Sequence, residues 1–121
     1  MKLPGPDHPI TIERNPRRVR VIFNGQVVAD TTDALTLKEA TLAPVQYIPR
    51  NDARMEYFRR TGHASHCPYK GDAGYFSLRV GDRVSENAVW TYEDPFPAMA
   101  QIAGRLAFYR DRVDAIEEGS E

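Results

Sequence analysis

The chain alternates apolar and polar residues in short runs, each broken within a few positions by glycine, proline or asparagine. A period of two marks strands with one buried face, whereas amphipathic helices repeat every three to four residues. Ile10-Thr-Ile-Glu shows the alternation and stops at Asn15-Pro16, which predicts an edge strand. The strongest local pattern is Arg18-Val-Arg-Val-Ile-Phe, then Asn24-Gly25, then Gln-Val-Val-Ala. Asn-Gly fills the two positive-φ positions of a type I′ turn between β-branched runs, so a hairpin is expected over about residues 18–30. Val19, Val21 and Phe23 then share one face, and Arg18, Arg20 and Ile22 the other.

Further along, residues 35–42 fit a strand through Leu35, Leu37 and Thr41, or a helical turn around Lys38-Glu-Ala; we favour the strand. Val45-Gln-Tyr-Ile reads as a short strand stopped by Pro49. Asn51 is placed to cap a helix from Asp52 that turns Met55 and Phe58 inward and ends at Gly62. Residues 63–74 read as a loop. Tyr75–Val80 and Arg83–Tyr92 form a second hairpin with a longer connection around Gly81-Asp82. Pro95 and Pro97 end that strand, and a short helix over 97–103 would face Met99, Ile102 and Ala103 inward before Gly104. Arg105-Leu-Ala-Phe-Tyr then either returns as a strand or continues as one helix to 117.

Residues 1–9, with three prolines and a glycine, predict an irregular arm, and 114–121 an acidic tail. Six to eight short strands against two short helices predict a mainly β domain over 1–121. Its expected form is two antiparallel sheets packed like a sandwich, with one or two short helices at the rim.

Composition narrows the function classes. Lys+Arg number 16 against Asp+Glu 17, a net charge of −1, so there is no basic footprint for nucleic acid or a membrane surface. No apolar run is long enough for a spanning helix, and the first residues lack a secretory signal. One cysteine excludes an internal disulfide, and a cytoplasmic protein is expected. A homo-oligomer stays open.

Candidate chemistry concentrates in His63-Ala-Ser-His-Cys-Pro-Tyr-Lys-Gly-Asp-Ala-Gly-Tyr75. Cys67 is either a nucleophile activated by Lys70 and His66 or an inert packed thiol. His63, His66 and Cys67 match metal ligands by type, but a second distant ligand pair is missing, so no metal site is expected. Lys70-Gly71 differs from a phosphate-binding P-loop, lacking the upstream glycine and the following Ser/Thr. Lys70 either points its ammonium into a concavity or snorkels into solvent. Tyr47, Tyr75, Trp90 and Tyr92 either line a cavity beside it or form an ordinary aromatic core. Arg20 could supply a second cation, and Asp52 a cap, an ion pair or a base. Cations with aromatic walls suit a carboxylate, phosphate or polarised carbonyl. The expectation is a small-molecule pocket with Cys67 and Lys70 as candidate catalytic residues and no cofactor.

Four strings carry a family resemblance: Tyr47-Ile-Pro-Arg-Asn-Asp, Cys67-Pro-Tyr-Lys-Gly-Asp-Ala-Gly-Tyr, Ala88-Val-Trp-Thr-Tyr-Glu-Asp-Pro and Ile102-Ala-Gly-Arg-Leu-Ala-Phe-Tyr. Across residues 10–113 the chain resembles the bacterial and fungal domain-of-unknown-function family four-two-seven. The resemblance implies a β-tent fold, two antiparallel sheets leaning together as in the yippee proteins and the ligand-binding domain of cereblon. Zinc-binding relatives of that fold use paired Cys-x-x-Cys knuckles, which one cysteine cannot reproduce. The family is also labelled nucleotidyltransferase-like, but the Gly-Ser and paired aspartates such chemistry needs have no counterpart in this sequence.

Overall fold

The computed structural model describes residues 1–119 and is mainly β. Its strands are β1 (Ile10–Asn15), β2 (Val19–Phe23), β3 (Gln26–Thr31), β4 (Ala34–Glu39) and β5 (Val45–Tyr47), then β6 (Phe58–Cys67), β7 (Gly71–Val80), β8 (Arg83–Thr91), β9 (Leu106–Phe108) and β10 (Ala115–Glu118). Hydrogen bonding groups them into three antiparallel sheets, ordered β1-β4-β5, β10-β2-β3 and β6-β7-β8-β9. One bridge, Ile48 to Leu106 with both N–H···O bonds at 2.8 Å, stitches β5 to β9. The first and third sheets thus form one continuous surface, against which the β10-β2-β3 sheet packs.

Alternation along the strands gives this surface two apolar faces. Val19, Val21 and Phe23 of β2 pack with Leu78, Leu106 and Phe108 between the sheets. On the opposite face Leu37, Tyr47, Ala73, Tyr75 and Ala107 join Tyr92, Met99 and Ile102. Leu106 and Phe108 therefore look one way and Ala107 the other.

The Asn24-Gly25 hairpin forms as its pattern predicts, with positive φ at both residues and a bulge after Val21. The 35–42 segment is extended, and 105–109 returns as a strand. Five expectations change. Asn51 caps no helix: 3-10 turns Arg50–Asp52 and Met55–Tyr57 lead straight into β6, and Gly62 lies inside that strand. Pairing with β7, Phe58 opposite Leu78, overrides the local helical pattern.

The stretch 63–74 is a hairpin rather than a loop, because Ala64–Cys67 pairs with Gly71–Gly74 around a turn at Pro68–Lys70. The β7–β8 connection is only Gly81-Asp82, closed by positive φ at Gly81. The acidic stretch at 115–118 is β10, laid antiparallel on β2; Ser120 and Glu121 of the expected tail lie outside the described residues. Pro97–Ile102 is a 3-10 segment that buries Met99 and Ile102 but leaves Ala103 exposed. No helix among the described residues is long and apolar enough to cross a membrane.

Candidate functional site

The second apolar face opens into a cavity of about 300 Å³. Its walls are aromatic: Tyr47 from β5, Tyr75 from β7, Trp90 from β8, Tyr92 just beyond that strand and Tyr109 after β9. Strand alternation places Trp90 and Tyr92 on one face, and the register sets Trp90 opposite both Tyr75 and Ala107.

Lys70 closes one side. Gly71, at φ +111°, lets the chain reverse tightly after it, and the Phe96 N–H binds the Lys70 carbonyl at 2.9 Å. The lysine is 7% exposed and its Nζ donates to Glu39 Oε1 at 2.5 Å. The other Glu39 oxygen lies 2.7 Å from His8 Nε2. His8 in turn stacks on Tyr69, 4.1 Å between centroids and 7° from parallel. The irregular N-terminal arm is thereby held against the site, for the Lys2 N–H also binds the Pro68 carbonyl at 2.7 Å. Burial alone would raise the Glu39 carboxyl, but hydrogen bonds from Lys70 and His8 outweigh it and hold the group below the usual glutamate range.

The hydroxyls divide into engaged and free. Trp90 Nε1 donates to Tyr47 Oη at 3.2 Å, the rings meeting edge to face at 89°. Tyr75 Oη lies 2.8 Å from Ser65 Oγ and 3.4 Å from Tyr109 Oη. Tyr92 Oη has no hydrogen-bond partner among the described residues. Burial raises Tyr47 and Tyr92 well above the ordinary phenol value. Burial and the bond to Tyr75 push Tyr109 up to about 12. All three are neutral phenols near pH 7, able to donate a hydrogen bond.

Tyr47, Lys70, Tyr75, Trp90 and Tyr92 therefore come together around one cavity. Arg20 does not join them; it lies on β2 in the β10-β2-β3 sheet, with Nη2 donating to Glu117 Oε1 at 2.9 Å. Asp52 accepts a hydrogen bond from Thr31 Oγ1 at 2.7 Å, away from the cavity lining. Cys67 is half-buried against the apolar cluster but does not line the cavity. His66 pairs with Asp72 at 2.7 Å on an exposed surface, and His63 rests on the Tyr75 ring. Among the described residues, no group of three or more His, Cys, Asp or Glu side chains is placed to hold a metal.

Four members were missed from sequence: Glu39, His8, Ser65 and Tyr109. Glu39 carried a usable signal, since the alternation Leu35, Leu37, Glu39 puts an acid on the buried face of β4.

A family model described as Domain of unknown function (DUF427) matches residues 11–119. The chain belongs to that family. Comparison with curated proteins gives no match.

Proposed function

We propose that this chain is a small-molecule-binding domain whose ligand enters the tyrosine-walled cavity and presents a carbonyl or anionic oxygen to Lys70 and Tyr92. The observation that carries the reading is the presence, in one concavity, of donors with spare capacity. Lys70 Nζ has a single partner, Glu39, and the Tyr92 hydroxyl has none among the described residues. An apolar aromatic lining with a few converging polar groups is the usual make-up of a metabolite site. Because Glu39 already offsets the lysine charge, a polarised carbonyl suits the site at least as well as a full anion.

The enzymatic alternative has less support. Imine formation needs a free amine lone pair, whereas the Lys70 ammonium is engaged by Glu39. A Cys67 nucleophile would attack from outside the cavity lining. Lys70 as an electrostatic stabiliser fits the same geometry and would require only that the bound ligand react. The one free cysteine agrees with a reducing, cytoplasmic setting.

The test is a thermal-shift screen of carbonyl-bearing and anionic metabolites, followed by calorimetry on hits. Tyr92→Phe and Trp90→Ala are expected to weaken a true ligand about tenfold or more, the loss of one desolvated hydrogen bond or one aromatic wall. Hits whose affinity ignores both substitutions would overturn the reading.

A further inference from the structure

A second cavity lies on the opposite face of the β5–β9 surface, between it and the β10-β2-β3 sheet. Its volume is about 130 Å³. Val21 and Ile116 form one wall, Ile48 and Phe108 the other, so its interior is aliphatic and aromatic. Two donors stand at its lining. Gln46 Oε1 accepts from Asn15 Nδ2 at 3.1 Å and from Thr36 Oγ1 at 2.9 Å, which orients the amide so that its NH₂ is the free end. Arg110 is exposed at the lining and has no ion-pair partner among the described residues.

We propose that this inter-sheet cavity is a second ligand site, for a small monocarboxylate whose apolar tail fills it while Arg110 and the Gln46 amide hold the carboxylate. Apolar cavities stay dry and admit apolar guests, a void of ~150 Å³ accepting a benzene-sized molecule. The volume here accordingly suits a tail of about five or six carbons. Arginine matches a carboxylate by charge and by its forked N–H geometry. A fully polar ligand would leave the aliphatic walls unpaired, and a neutral apolar one would leave both donors idle. The two cavities share Ala43 and Val45 in their linings, but their polar groups are distinct, since Gln46 and Tyr47 alternate to opposite faces of β5.

The experiment is calorimetric titration of the full chain with butanoate, hexanoate and decanoate. Saturable one-to-one binding is expected, tightening about fourfold per added methylene up to hexanoate and flattening beyond, as the cavity fills. Arg110→Gln, a surface change that leaves the core intact, should weaken hexanoate about tenfold and leave hexanol unaffected. Ile116→Phe should abolish hexanoate binding by filling the void, and the exposed Arg110 variant keeps the test decisive if that protein does not fold. Tyr92→Phe should leave hexanoate affinity unchanged. Absence of saturable binding, indifference to chain length or to Arg110, or sensitivity to Tyr92 would each overturn the proposal.

Discussion

Lys70 and Glu39, 31 positions apart in sequence, pair inside the cavity wall with side chains only 8% and 12% exposed. Burying two charges is costly, and removing one partner leaves the other desolvated without compensation. Lys70→Met should therefore destabilise the protein by about 2–3 kcal/mol, less than for a wholly buried pair because His8 still contacts Glu39. The double variant Lys70→Met/Glu39→Leu should recover most of that loss. Urea unfolding of the two variants checks it, and a double variant worse than the single would refute the account.

The same pair sets an acid limit. The folded Glu39 carboxyl lies below the ordinary glutamate value of 4.5, so between the two values the unfolded chain binds the extra proton. Stability from this group is complete above about pH 4.5 and is lost as pH falls through the folded value. Asp30, Glu93 and Asp114 are also lowered, first of all by hydrogen bonds from Arg18, Arg60 and Arg83, and act in the same direction. Glu39→Gln should make melting temperature less sensitive to acid. An unchanged slope below pH 4.5 would contradict this assignment.

At the alkaline end the sign reverses. Tyr47, Tyr92 and Tyr109 ionise more readily in the unfolded chain, near 10.0, than in the folded one. Their stabilisation is complete below pH 10 and declines above it. Ultraviolet titration should show Tyr109 ionising only near pH 12, with Tyr47 and Tyr92 silent until unfolding.

Two aromatic substitutions should separate engaged from free groups. Trp90→Phe strands the Tyr47 hydroxyl and should cost about 1–2 kcal/mol. Tyr92→Phe removes no protein hydrogen bond and should change stability by less than about 0.5 kcal/mol. Equal losses would mean that the Tyr92 hydroxyl has a structural partner.

Gly71 fixes the lysine. At φ +111° an alanine is strained, and its Cβ would stand 3.5 Å from the Phe96 nitrogen. Gly71→Ala should cost about 1–2 kcal/mol and weaken any ligand that depends on Lys70. Chemical denaturation and binding measured together test both effects.

How much of this could be read beforehand depended on the range of the interaction. Asn24-Gly25 dictates its hairpin locally, and the aromatic wall was readable because Trp90 and Tyr92 share a strand parity. The 63–67 stretch hid its strand because its residues are mostly exposed, so alternation is faint. Asn51 and Gly62 looked like helix ends, and only pairing with residues far downstream makes Phe58–Cys67 extended. Nothing local separates Arg20 from the cavity, because its partner, Glu117, lies in a segment with the composition of a tail. For Glu39 only its strand parity is legible locally; its role arises because His8 and Lys70, from distant segments, converge on it.

The placement of β10 beside β2 also bears on how the chain folds. Arg20 and Glu117 are 97 positions apart, so the β2–β3 hairpin, formed early by its own turn, keeps one edge unpaired until almost the whole chain is available. Contacts of such long range slow folding, and an open apolar edge in the interval invites pairing with other chains. During synthesis the free edge of this hairpin stays open to pairing with other chains until residues 115–118 emerge.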